Sequence, residues 1–277
     1  MNLNNYKFNY FFRGSPEKPV IVFLHGFMGN CHSFDAAILS LSKDFFCLSI
    51  DLPGHGQTQV IGGDQYYTIP KIAHGLVELL NQLKISQCLL TGYSMGGRIA
   101  LYLTIYFPDH FSQVILESAS PGLKTPQERT ERLKNDHQLA QELETTEFAL
   151  FLDKWYDNKL FVLFKNHPDF KRVLEKRLNN NPVELAKALR NCSTGLQPSL
   201  WEKIQHNEIP ILLLVGELDQ KFIAINQEMV NLSQSITIEI IEDCDHNIHF
   251  GKVDNFVETI RQFVVSGGVK GCKLDNE

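Results

Sequence analysis

The sequence predicts an α/β fold: a mostly parallel, doubly wound sheet with an inserted helical cap. Three observations predict it. Short, continuous apolar runs rich in β-branched residues recur along the chain, as in strands buried on both faces. Segments with apolar residues at helical spacing separate these runs, the alternation that builds a parallel sheet. Between residues 123 and 200 the strand-like runs stop and only helical spacing remains, so a helical layer interrupts the sheet.

Residues 6–13 alternate as Tyr6, Phe8, Tyr10 and Phe12, the pattern of a half-buried edge strand. Pro19-Val20-Ile21-Val22-Phe23-Leu24 is a buried strand that ends in the Gly-flanked loop His25-Gly26-Phe27-Met28-Gly29. Phe46-Cys47-Leu48-Ser49-Ile50 is a second, running into the turn-rich Asp51-Leu52-Pro53-Gly54-His55-Gly56. Thr68 to Leu83 has helical periodicity, with Thr68 as cap and Pro70 near its start. Leu89-Leu90-Thr91 leads into Gly92-Tyr93-Ser94-Met95-Gly96 and then directly into an amphipathic helix. Val114 to Ser118 is the next strand. After the helical stretch, Pro210 to Val215 and Ile236 to Ile241 resume the strand pattern, with helices expected at about 221–231 and 253–265. The expected organisation is a core in two parts, residues 1–122 and 201–265, a helical cap at 123–200, and a flexible tail at 266–277.

A chain of 277 residues suits one α/β domain with an insertion, or two small domains. Its 43% hydrophobic and 21% charged residues are those of a globular protein that needs no staples. A net charge of −6 disfavours non-specific nucleic-acid or membrane-surface binding. The sequence lacks an apolar run long enough to span a bilayer, so no stable membrane insertion is expected. The N-terminus has no secretory signal pattern. The six cysteines are scattered, without a zinc-like His/Cys spacing. Reduced thiols, a cytoplasmic location and no metal are the expectation.

The Gly92–Gly96 stretch is a G-x-S-x-G pattern between strand and helix. That geometry puts Ser94 on a strained apex, with small neighbours at Gly92 and Gly96 to make room. It also leaves the Met95 N–H at a helix N-terminus, which favours an anion. Serine is a poor nucleophile or base at neutral pH, so a histidine must take its proton and a carboxylate must orient that histidine. Asp219 and His246 follow later strands and supply both. Asp219 also suits the N-cap of the next helix. Glu217 and Glu117 are alternative acids, and His249 is the alternative histidine. A backbone N–H in His25-Gly26-Phe27, that of Phe27, would face the Met95 N–H across an oxyanion hole.

With the order Ser94, Asp219, His246 in place, residues 19–265 resemble the α/β-hydrolases. A narrower resemblance is carried by Gly92 to Arg98, by Glu117-Ser118-Ala119-Ser120-Pro121-Gly122-Leu123, and by Glu128-Arg129-Thr130-Glu131-Arg132 with Asp136. Trp155-Tyr156, Gly216 to Phe222 and His246-Asn247-Ile248-His249 add to it. These segments look like the MenH family of SHCHC synthases in menaquinone and phylloquinone biosynthesis. The resemblance implies elimination of pyruvate from SEPHCHC, a small molecule with several carboxylates, without a cofactor. It implies Ser94 as base, drawn on by His246 and Asp219, with Phe27 and Met95 holding the enolate oxygen. Arg98, Arg132 and Arg177 match the family's carboxylate-binding arginines, with Arg129 and Arg172 as competitors for the last two. Tyr93 and Trp155 match its pocket aromatics. This sequence departs from the family at Asp245, where a glycine usually precedes the histidine, and at Phe250-Gly251-Lys252. Asp245 either bears on His246 through its charge or points to water. The rival readings are an esterase, thioesterase or C–C hydrolase using Ser94 as nucleophile, and a non-catalytic binding protein.

Overall fold

The computed structural model describes residues 2–3 and 5–266. Cys272 and the expected tail beyond Ser266 lie outside the described residues.

The strands are β1 (Asn2–Leu3), β2 (Tyr6–Lys7), β3 (Tyr10–Arg13), β4 (Val20–Leu24), β5 (Phe46–Ile50), β6 (Gln59–Val60), β7 (Cys88–Tyr93), β8 (Phe111–Glu117), β9 (Ile211–Gly216) and β10 (Ile236–Ile241). The main sheet has the order β10-β9-β8-β7-β4-β5-β3. All its pairings are parallel except β3 on β5. The chain goes from β4 to β5 on one side, then crosses to β7 on the other. The crevice at such a reversal, beyond the strands' C-terminal ends, is where ligands bind in open α/β sheets. Here the loops after β4 and β7, carrying Phe27 and Ser94, flank it.

Alternation within the strands explains why both faces are covered. Val20, Val22 and Leu24 of β4 enter one apolar cluster with α2 (Ile69–Gln82) and α3 (Met95–Tyr106). Ile21 and Phe23 enter the opposite cluster with α1 (Asp35–Leu41) and α12 (Val253–Ser266). A strand packed on both faces has no polar position to alternate with, hence the continuous apolar runs.

The expected edge strand at 6–13 divides. Tyr6–Lys7 joins β1 and β6 in a small antiparallel sheet, while Tyr10–Arg13 takes the edge of the main sheet. The break is at Asn9, whose N–H donates to Thr58 Oγ1 at 2.9 Å and whose amide donates to Asp51 Oδ2 at 2.8 Å. A backbone donor captured by a side chain leaves the strand ladder.

The inserted stretch forms α4 (Pro126–Thr145), α5 (Phe148–Tyr156), α6 (Val162–Asn166), α7 (Phe170–Arg177) and α8 (Pro182–Asn191). Thr125 and Glu128 form a reciprocal capping box at the start of α4. The layer has its own apolar cluster, including Ala140, Leu143, Phe151 and Leu185, which closes on Met28 of the core. Two short helices, α9 (Trp201–Ile204) and α11 (Ile248–Gly251), and the longer α10 (Gln220–Val230) complete the chain. No helix among the described residues is long and apolar enough to cross a membrane.

Candidate active site

Ser94 stands at the β7–α3 junction with φ 49° and ψ −106°, a conformation L-residues rarely adopt. The turn is possible because the backbones crowd together. A Cβ on Gly92 would lie 2.5 Å from the Gly96 carbonyl oxygen, and one on Gly96 would lie 2.1 Å from that of Leu24. The Ser94 N–H donates to the Glu117 carbonyl at 2.8 Å, fixing the apex to β8.

The structure joins Ser94, His246 and Asp219. His246 Nε2 is 3.1 Å from Ser94 Oγ, and His246 Nδ1 is 2.6 Å from Asp219 Oδ2. The carboxylate therefore takes the Nδ1–H and leaves Nε2 free to receive the serine proton. Asp219 also fills its second expected role: Oδ1 accepts the Phe222 N–H at 3.4 Å at the start of α10. His246 is buried between the rings of Phe222 (4.7 Å) and Phe161 (6.1 Å).

The alternatives have other partners. Glu117, fully buried, accepts the N–H groups of Ile248 (2.6 Å) and His249 (3.1 Å) and pairs with His249 Nδ1 at 2.8 Å. It grips the loop after His246 from below, and His249 belongs to that grip. Glu217 accepts the Asp243 N–H at 3.0 Å in the same loop.

A cavity of about 700 Å³ opens over Ser94 between the sheet edge and the inserted helices. Phe27, Ser94, Met95, Arg98, Arg132, Trp155 and His246 all line it. Arg98, one turn into α3, donates to the Gln197 side-chain oxygen and the Cys192 carbonyl, both at 3.0 Å. Both acceptors are neutral, so its charge is held without a direct carboxylate partner. Burial pushes the Arg98 pKa down, and nearby Arg132 adds to that. Arg132 is paired through Nε with both oxygens of buried Asp136, at 2.8 and 2.9 Å. Arg98 and Arg132 against Asp136 leave a surplus of positive charge at this wall. Arg129, the competitor, donates to the Gly195 and Gln197 carbonyls instead and pins the loop that holds Arg98.

Two expected binding residues do not line this cavity. Tyr93 is buried behind the triad, its ring 5.4 Å from that of His246 and 4.7 Å from that of His249. It faces the Gly26 backbone, where a Cβ would sit 2.5 Å from the ring. Arg177, at the end of α7, donates to the Met28 carbonyl, which Asn180 also reaches at 3.1 Å. Arg177 thus fixes the loop that follows Phe27.

His25 shapes the same loop. Its Nε2 accepts the Leu52 N–H at 3.0 Å, so Nδ1 carries the proton and donates to the Gly26 carbonyl at 2.8 Å. Burial lowers the His25 pKa to about 4. His55, its ring 5.1 Å away, is lowered too, by burial and then by His25. Phe161 and Asn158, which line the cavity, and Gln197, which holds Arg98, are not among the sequence expectations. They fall in segments without a motif, and nothing in their spacing marks them.

A model of the alpha/beta hydrolase fold matches residues 19–253. A Bacillus subtilis (strain 168) protein is 36% identical over 91% of this chain and 93% of its own length. It bears, provisionally, the name 2-succinyl-6-hydroxy-2,4-cyclohexadiene-1-carboxylate synthase, that is, SHCHC synthase. A protein of Escherichia coli O1:K1 bearing that name is 31% identical over 85% of this chain and 90% of its own. The chain belongs to the α/β-hydrolase fold family, among its SHCHC synthases. The solved structure of MenH from S. aureus superposes with a TM-score of 0.88 at 33% identity, covering 96% of this chain and 100% of that one. The chain is accordingly an enzyme of this family.

Proposed function

We propose that this enzyme is an SHCHC synthase: it eliminates pyruvate from SEPHCHC to give 2-succinyl-6-hydroxy-2,4-cyclohexadiene-1-carboxylate, in the biosynthesis of menaquinone or phylloquinone. The observation that carries the reading is the pairing of an intact Ser94–His246–Asp219 relay with a half-buried guanidinium, Arg98, that has only neutral partners. An esterase pocket does not need that charge. A substrate with several carboxylates does.

In this reading Asp219 holds the His246 Nδ1–H, and His246 Nε2 draws the proton from Ser94 Oγ. The serine oxygen removes the proton beside the succinyl ketone. The N–H groups of Phe27 and Met95 have no protein acceptor among the described residues and receive the enolate oxygen. Electrons then move through the ring and break the C–O bond to the enolpyruvyl group, which leaves as an enolate and takes up one proton to become pyruvate, a carbon–oxygen lyase reaction that requires no cofactor. Arg98 and Arg132 take substrate carboxylates against Trp155. Tyr93 and Arg177 serve by shaping the floor and the oxyanion loop. The inserted helices, residues 123–200, act as a cap over the cavity between the two parts of the core.

Ser94→Ala and His246→Ala test the assignment. Each is expected to lower pyruvate release from SEPHCHC by about 10²–10⁴-fold, the usual reach of general base catalysis, with an unchanged circular dichroism spectrum. A variant that works at the parent rate removes its residue from the mechanism.

A further inference from the structure

Asp245 is the chain neighbour of His246, yet its carboxylate turns away from the triad to the cap. Oδ2 accepts the consecutive N–H groups of Leu163 and Phe164, both at 2.9 Å, and Oδ1 accepts the Asn247 N–H at 3.3 Å. The side chain is buried, and its hydrogen-bond partners among the described residues are backbone groups rather than a cation. On the other side of His246, the Phe250 ring packs against Phe164 at 4.8 Å and His167 at 4.5 Å. The stretch thus held, 159–167, carries Phe161, which lines the cavity and meets the His246 ring edge-on.

The rest of the cap has a different anchor. Helix α8 lies against the core loop, where a Cβ on Gly54 would be 2.7 Å from Ala188 Cβ, and the Tyr67 hydroxyl donates to Glu184. Segment 159–167 has its tie to the core at the His246 loop.

We propose that Asp245 and Phe250 form a two-point latch that fastens cap segment 159–167 to the loop bearing the catalytic histidine. Asp245 is then a positioning residue. The latch keeps the Phe161 wall closed on the imidazole and water away from the Ser94–His246 pair. A buried carboxylate that accepts two backbone donors makes a strong, directional tie, and Phe250 adds apolar contact. The proposal rests on His246 being the group that draws the serine proton, and it goes beyond that role to say what holds the wall beside it.

Amide exchange at Leu163 and Phe164, followed in the full chain without ligand, is the first readout. In Asp245→Ala these two amides exchange at least about tenfold faster, while the amides of α8 keep their protection. Under steady-state turnover of SEPHCHC the same variant raises KM about tenfold with a smaller change in kcat, because the cavity wall is no longer preformed. Asp245→Asn keeps a carbonyl oxygen facing the two donors and restores both readouts to within about threefold. Phe250→Ala, which removes no buried charge, speeds exchange at Phe164. Parent-like exchange in Asp245→Ala or Phe250→Ala overturns the latch. So does an Asp245→Asn variant as impaired as Asp245→Ala, which would assign the effect to charge acting on His246. The exchange arm involves no turnover, so it decides the latch even where SEPHCHC proves to be the wrong substrate.

Discussion

In the proposed synthase, Arg98 is the residue on which substrate class turns. Its guanidinium bridges the Gln197 side chain and the Cys192 carbonyl, so its fork is aimed before any ligand arrives. Lysine keeps the charge but cannot span both acceptors and a substrate carboxylate together. Arg98→Lys should therefore lower kcat/KM for SEPHCHC by about 10–100-fold, the equivalent of one hydrogen bond to a charged group. An unchanged kcat/KM in steady-state assays would take Arg98 out of the site. The triad residues were legible in the sequence because each follows a strongly marked strand and because the chemistry requires all three. Arg98 and Arg132 were expected on the resemblance, and both line the cavity. Tyr93 and Arg177 were expected against the ligand on resemblance alone, and spacing carries no information about which way a side chain faces. Gln197 and Phe161 act through contacts with residues 99 and 85 positions away in the chain, which a linear reading does not see.

At the scale of elements, the strands were the most legible part. Burial on both faces favours predominantly apolar runs, and β4, β5, β7, β9 and the Val114–Leu116 part of β8 have that pattern. Helix α1 was not foreseen. It has seven residues, too few to display a period, and Phe34 at its N-cap makes no side-chain cap hydrogen bond. The 6–13 stretch shows the opposite failure. Its alternation is real, but Asn9 answers to Asp51 and Thr58 and divides one expected strand between two sheets. The inserted helices α4 to α8 lie between β8 and β9. Their division of labour, with α4 and α8 packed together and segment 159–167 tied to the His246 loop, comes from tertiary contacts alone. The departure at Asp245 illustrates this. Sequence offered a charge acting on His246 or a group facing water; the carboxylate is buried and holds the N–H groups of Leu163 and Phe164.

The whole molecule inherits a pH dependence from the loop that frames the site. His25 must stay neutral, because its Nε2 accepts the Leu52 N–H. The unfolded chain takes up a proton near pH 6.5, whereas the folded state resists until about pH 4. Unfolding is then favoured by protons. This contribution is complete above pH 6.5 and is lost as the pH falls to about 4. A loss on the order of 3 kcal/mol across that window follows from the size of the shift. His25→Gln, which can still accept from Leu52, should flatten the decline of thermal stability between pH 6.5 and 4. An equally steep decline in the variant would assign the acid sensitivity elsewhere.

The central claim is that this fold, with a hydrolase triad, performs an elimination. Pyruvate release from enzymatically prepared SEPHCHC, run beside p-nitrophenyl acetate hydrolysis on the same preparation, tests it most directly. The account predicts rapid pyruvate release with negligible ester hydrolysis. Rapid ester hydrolysis without pyruvate would leave Ser94, His246 and Asp219 in place as a nucleophilic triad and would contradict the synthase.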